Sequence, residues 1–179
     1  MRLITFSKSY SWVLLIGSVF GLTASAALTI EKMMLLENPN YKLSCSFNEI
    51  FACGSIVTTD QASIFGFANS IIGVIAFPIL ITLGILGLAK IAMPRFIVIG
   101  LAVGTTFAHI FVLWLVYQSL YTIGALCPWC MVVWAVTVPI NIFTFTQLVT
   151  SRIASPLASV LTFGWFSIVF ALIIVRFYI

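Results

Sequence analysis

The sequence predicts an all-α integral membrane protein, and three observations carry that expectation. The chain is 63% hydrophobic and only 7% charged, whereas a soluble domain carries about 25% charged residues. Its mean hydropathy is +1.24. Its few charges separate long uncharged runs. At 179 residues there is room for one helical bundle and no separate soluble domain.

The elements follow in order. A transmembrane helix needs roughly 20 apolar residues to cross about 30 Å of hydrocarbon. Residues 9–30 carry no charge and fit a first span. Arg2 and Lys8 before it and Ala24-Ser25-Ala26 within it have the form of a cleavable signal. The apolar run is long for that, so the segment is read as a retained helix. Residues 31–69 form the only sizeable polar segment, an outer loop with Asn38-Pro39-Asn40 as a turn signal. Its later part, Ile64-Phe65-Gly66-Phe67, reads as a short interfacial element lying on the bundle. A second span falls at 70–89. Residues 96–151 hold no formal charge and are too long for one helix. They divide into a span at 96–117, a turn at 118–126 and a span at 127–148. A fifth span runs from 156 to 175. Gly84, Gly87, Gly100 and Gly104 lie at helical spacing and read as close-packing sites. The organisation expected is a four-helix bundle over 1–150, capped by the outer loop, with an additional transmembrane helix over 151–179.

Lys and Arg in short loops favour the cytoplasmic side. With the N-terminus inside, Arg2, Lys8, Lys90, Arg95 and Arg152 are cytoplasmic. Lys32, Lys42, Arg176 and all four acids (Glu31, Glu37, Glu49, Asp60) then face outward. The net charge of +4 thus reflects short basic loops and gives no reason to expect a nucleic-acid partner. A multi-pass protein of the cell's inner (plasma) membrane is expected, in contact with the lipid bilayer.

This orientation places every cysteine on the outer side. Cys45 and Cys53 lie in the loop. Cys127 and Cys130 form Cys127-Pro128-Trp129-Cys130 at the outer end of the fourth span. A thiolate is the reactive species, and a helix N-terminus stabilises its negative charge. Pro128 suits the first turn of a helix. Such a pair closes a small disulfide ring that another thiolate can open. Three readings fit these residues. Two static disulfides could brace the loop of a non-catalytic membrane protein in an oxidising compartment. A four-cysteine zinc site is a second reading, but only one pair has the short knuckle spacing and no metal is expected. The third, preferred because the helix-start pair shares a face with a second pair, is a relay of exchanging disulfides. Its electrons need an acceptor, and a lipid-soluble quinone is within reach of the membrane boundary. The spans lack paired charges, which argues against an ion-coupled transporter.

These residues carry a resemblance. Cys45…Cys53, the following Gly54-Ser55-Ile56-Val57-Thr58-Thr59, the segment Ser63-Ile64-Phe65-Gly66-Phe67-Ala68-Asn69, and Cys127-Pro128-Trp129-Cys130 opening the fourth span resemble the vitamin K epoxide reductase (VKOR) family in its prokaryotic members. The similar DsbB family places its Cys-x-x-Cys before the longer cysteine loop; here the loop pair comes first. The resemblance covers about residues 10–150. It implies a four-helix bundle around a quinone, be it menaquinone, ubiquinone or a vitamin K-like molecule. It implies that Cys45 and Cys53 exchange with a thioredoxin-fold partner. Cys53 then passes electrons to Cys127 through a transient disulfide, and Cys130 is the cysteine next to the quinone. Asn69 matches an asparagine that can hydrogen-bond a quinone carbonyl. Thr59 matches a Ser/Thr position near the active site, and Trp134 a pocket-lining aromatic position. Trp134 stands where some animal relatives have tyrosine, so a hydroxyl-dependent role does not carry over. Phe65, within the matching segment, joins these as a cofactor-binding candidate. Many bacterial relatives carry a fused thioredoxin-like domain after a fifth span. This sequence stops at that span, so a separate, DsbA-like partner is expected. The function implied is oxidative protein folding by a quinone-linked thiol–disulfide oxidoreductase with an extracytoplasmic active site.

Three further expectations rest on single residues. His109, mid-span, is a candidate donor to a quinone oxygen or a proton carrier; the plainer reading is a neutral histidine bonded between helices. Asn69 can alternatively cap the second span. Asp60 and Glu49 read as solvated loop charges.

Overall fold

The structure, a computed structural model, describes residues 3–48, 50–149 and 154–178. Arg2, Glu49 and Arg152 lie outside the described residues, so their expected sidedness and solvation find no test there. Among the described residues, five helices are long and apolar enough to cross a membrane. Helices suit these uncharged runs because lipid offers backbone groups no outside partner.

The first of these helices, α1 (Lys8–Glu37), starts at Ser7, whose Oγ accepts a hydrogen bond from Tyr10 N at 3.3 Å. It continues seven residues past the expected end at Ile30. Met33-Met34-Leu35-Leu36 are good helix formers, and the helix stops at Asn38, before Pro39, where a proline disfavours helical backbone. Asn38 Oδ1 accepts from Asn40 N, forming the expected turn. The outer loop therefore begins at 38 rather than 31, and Glu31 and Lys32 are helical residues. A short helix α2 (Cys53–Val57) and a 3₁₀ turn (Asp60–Ser63) follow. Next come α3 (Ser70–Leu88), α4 (Arg95–Tyr117), α5 (Pro128–Val149) and α6 (Ala154–Tyr178). The expected turn at 118–126 is partly helical: α4 runs into a π-helical turn (Gln118–Ile123) that ends at Gly124, with φ of 71°.

Two short strands were not expected. β1 (Leu3–Ile4) pairs antiparallel with β2 (Met93–Pro94), Leu3 opposite Pro94 and Ile4 opposite Met93. They tie the N-terminal segment to the α3–α4 connection. The cysteines all lie at the opposite end of the bundle.

Helix α1 packs most extensively on α3, then on α5; α4 and α6 pack on α5. The α1–α3 seam is close because glycines line it. A Cβ on Gly84 would come within 2.9 Å of Leu15 N, and one on Gly87 would run into Ser11 Oγ. Those two glycines pack as expected. Gly100 and Gly104 do not: a Cβ on either meets nothing within 4 Å, because both face a cavity. Helices α3 and α4 are sequence neighbours, yet the cavity separates them instead of a packed seam. Helix α6 stands outside the four-helix core, mostly exposed to lipid. Arg176 Nε donates to Leu120 O at 2.9 Å and ties its end to the π-helical turn.

Candidate redox site

Local backbone bonds bring the loop to the start of α5. Asn48 Oδ1 accepts from Ile50 N and Phe51 N at 3.1 and 2.6 Å, which turns the chain back. Leu126 N then donates to Ile50 O at 2.7 Å, and Ala52 N donates to Leu126 O at 3.0 Å. This clasp sets Cys53, first residue of α2, beside Cys127, the residue before α5.

A disulfide joins Cys45 and Cys53, while Cys127 and Cys130 are free thiols. Cys53 Sγ and Cys127 Sγ are 3.0 Å apart. Cys45, Cys53 and Cys127 are all buried, packed with Leu28, Leu43 and Val57. Cys130 N–H lies 3.4 Å from Cys127 Sγ. Cys127 sits just outside the spanning part of α5. The Cys130 side chain, hydrogen-bonded to it, holds its thiol below the ordinary thiol range, against the opposing effect of burial. The structure therefore sets a thiol that readily ionises against one sulfur of a disulfide, as exchange requires. Attack by Cys127 on Cys53 would release Cys45. By microscopic reversibility the same contact serves Cys53 attacking a Cys127–Cys130 disulfide.

The sulfurs of Cys45, Cys53 and Cys127 lie within 4.8 Å of one another. That crowding resembles a metal site, but metals are held by thiolates, and two of these sulfurs are bonded to each other.

Beyond Cys130 opens a mostly apolar cavity of about 480 Å³ between α3 and α4. Cys130 and Trp134 line it from α5, and Thr59 and Asn69 from the loop end. Asn69 Nδ2 donates to Gln61 O at 2.7 Å, and its Oδ1 accepts from Ile64 N at 3.3 Å. It thus braces the loop and does not cap α3 through its side chain; its second Nδ2 hydrogen has no acceptor among the described residues. Thr59 Oγ1 donates to Ile56 O at 2.7 Å. Phe65 is half-exposed and stands behind the lining residue Phe111, ring centroids 5.8 Å apart. The segment 64–67 lies on the bundle through this contact, as a turn. Asp60 is exposed, as expected.

His109 is not on the cavity wall. Its Nδ1 is 2.8 Å from Asn141 Oδ1, and its ring meets Trp165 of α6 edge-on. Asn141 Nδ2 in turn donates to Thr105 and Thr106, each at 3.2 Å. The geometry is that of a histidine bonded between helices. Two residues singled out for charge alone belong to the site. Lys32 lines the cavity mouth with its Nζ on Val57 O at 2.5 Å. Glu31 is buried against Ser44 and Cys45. The apolar Met33–Leu36 run that extends α1 was the available signal for both.

Fold and site together define a multi-pass membrane protein that presents a disulfide to a thiol pair beside an apolar cavity. The chain belongs to the vitamin K epoxide reductase family, whose sequence profile matches residues 12–145. That match spans all four cysteines and supports an oxidoreductase. A comparison with curated proteins gives no match.

Proposed function

We propose that this protein carries electrons from a thioredoxin-fold partner, through Cys45/Cys53 and then Cys127/Cys130, to a membrane quinone, and so supports disulfide formation outside the cytoplasm. The observation that carries the reading is the 3.0 Å approach of Cys127 Sγ to Cys53 Sγ, a thiol on a disulfide.

The residues around the cavity fit a quinone. Donors from Lys32 and Asn69 and the hydroxyl oxygen of Thr59 cluster at its loop end, the remaining walls are largely apolar, and Cys130 is on the wall. A bound quinone supplies a two-electron, two-proton acceptor. The chain's residues do the rest. A partner thiolate attacks Cys45, and Cys53 leaves as a thiolate. Cys53 attacks Cys127 of an oxidised Cys127–Cys130 pair, and Cys130 leaves. The partner's second thiol attacks its first, which forms the partner's disulfide and frees Cys45; Cys45 then closes on Cys53 and returns Cys127 as a thiolate. Trp134, buried beside Cys130, keeps water from that wall. The Asn69 amide offers its free N–H to a carbonyl oxygen.

Removing the last cysteine tests the relay. Cys130→Ala protein exposed to a limiting dithiol and then air should yield a Cys53–Cys127 crosslinked peptide on non-reducing mapping. Recovery of Cys45–Cys53 alone under every condition would favour the fixed-staple reading instead.

A further inference from the structure

A buried acid touches one of the reactive sulfurs, that of Cys45. Glu31, near the outer end of α1, is 6% exposed. Its Oε1 accepts from Ser44 N at 3.1 Å and from Ser44 Oγ. Its Oε2 is 3.6 Å from Cys45 Sγ. A buried carboxylate is costly unless hydrogen-bonded. The two Ser44 donors meet that need at one oxygen and leave the other on the sulfur. In the disulfide state Cys45 has no proton to donate, so the contact acquires a function only when Cys45 is a thiol. Among the described residues, the groups facing Glu31 are Cys45 and Ser44 from the loop and Cys127, which feels its charge from the connection before α5. Lys32, its chain neighbour, directs its ammonium to Val57 O.

We infer that Glu31 is the general base that takes the proton of Cys45 when Cys45 resolves the Cys53–Cys127 disulfide. The inference rests on the relay proposed above, in which that disulfide is an intermediate. The step balances within the chain. The Cys45 sulfur attacks Cys53, the Cys45–Cys53 bond forms, and the Cys53–Cys127 bond breaks. Cys127 leaves with the electron pair as a thiolate, and the proton passes from Cys45 to Glu31 Oε2. No external oxidant or reductant is needed. With the Cys127 thiolate protonated, the product is the state seen here, a loop disulfide beside two free thiols. In the reverse direction protonated Glu31 gives its proton to the departing Cys45.

The electrostatics decide what kind of help this is. A carboxylate beside a thiol disfavours the free thiolate. Glu31 therefore does not pre-ionise Cys45; it accepts the proton as the sulfur–sulfur bond forms. The gain matters because an unassisted thiol, with a pKa of about 8.5, is mostly protonated at neutral pH.

The test uses full-length Cys130→Ala protein and no quinone. Reduced protein is oxidised with diamide, then acid-quenched and peptide-mapped over time. The rate sought is that of conversion of Cys53–Cys127 into Cys45–Cys53, from about pH 6 to pH 9. With Glu31 present the rate should be nearly flat with pH. Adding Glu31→Gln should slow it by about 100-fold near pH 7, with a rate that rises with pH until the gap closes. Glu31→Asp, which draws the carboxylate back by one methylene, should be slower yet keep the flat profile. It also serves if the glutamine variant does not fold. Equal slowing of Glu31→Gln at every pH, as in a Ser44→Ala control, would mean that Glu31 only holds the loop and overturns the inference. An unslowed glutamine or aspartate variant overturns it too. If Cys53–Cys127 never forms in the Cys130→Ala protein, the relay itself fails, a result distinct from conversion at an unchanged rate in Glu31→Gln.

Discussion

At the residue scale the chemistry turns on Cys127. The Cys130 hydrogen bond depresses its folded pKa, so the thiolate persists at a pH where an ordinary thiol is protonated. The sign follows: this interaction stabilises the reduced fold above the unfolded thiol's pKa and is lost as pH falls through the lowered folded value. Iodoacetamide should accordingly label Cys127 of the reduced protein below the usual thiol range. In Cys130→Ala the labelling profile should move to higher pH; an unmoved profile would remove Cys130 as the cause. The four cysteines were legible in the sequence because Cys-x-x-Cys at a helix start has a local physical meaning and the charge pattern puts the second pair on the same face. Glu31 was not, since its role depends on where α1 ends and on a loop folded back over it. His109 was legible as an intramembrane ionisable group, but its direction was not. Sequence spacing does not say which side of α4 meets Asn141 and which meets the cavity.

At the element scale the five spans were read from charge-free runs, and their ends shifted where local chemistry overrode charge. Helix α1 outran Glu31 and Lys32 because four good helix formers follow them. The α3 and α4 glycines share a spacing yet do opposite work. Gly84 meets the backbone of α1, while Gly104 opens on the cavity. Leucine at the two positions should separate these roles. Gly84→Leu should cost about 1–3 kcal/mol through overpacking, seen as a lower thermal midpoint in detergent. Gly104→Leu should leave the midpoint near that of the unaltered chain while sharply reducing quinone turnover. A destabilised Gly104→Leu with normal turnover would contradict the cavity assignment.

At the scale of the whole molecule, the fold joins two environments. One end holds the sulfurs under a folded loop, and the apolar cavity descends from Cys130 between α3 and α4. Helix α6 stands outside this arrangement, fastened by Arg176 to the π-helical turn. The helical class and membrane character were readable because composition alone forbids a water-facing surface. The separation of α3 from α4 was not, since an apolar face reads alike whether it meets another helix, lipid or a bound molecule. The measurement that tests the central claim most directly is quinol formation by detergent-purified protein supplied with a dithiol, beside Cys130→Ala. Quinol that accumulates catalytically with the unaltered chain and is abolished in the variant is the expected result. Folded protein that reduces no quinone, or a Cys130→Ala variant as active as the unaltered chain, would contradict it.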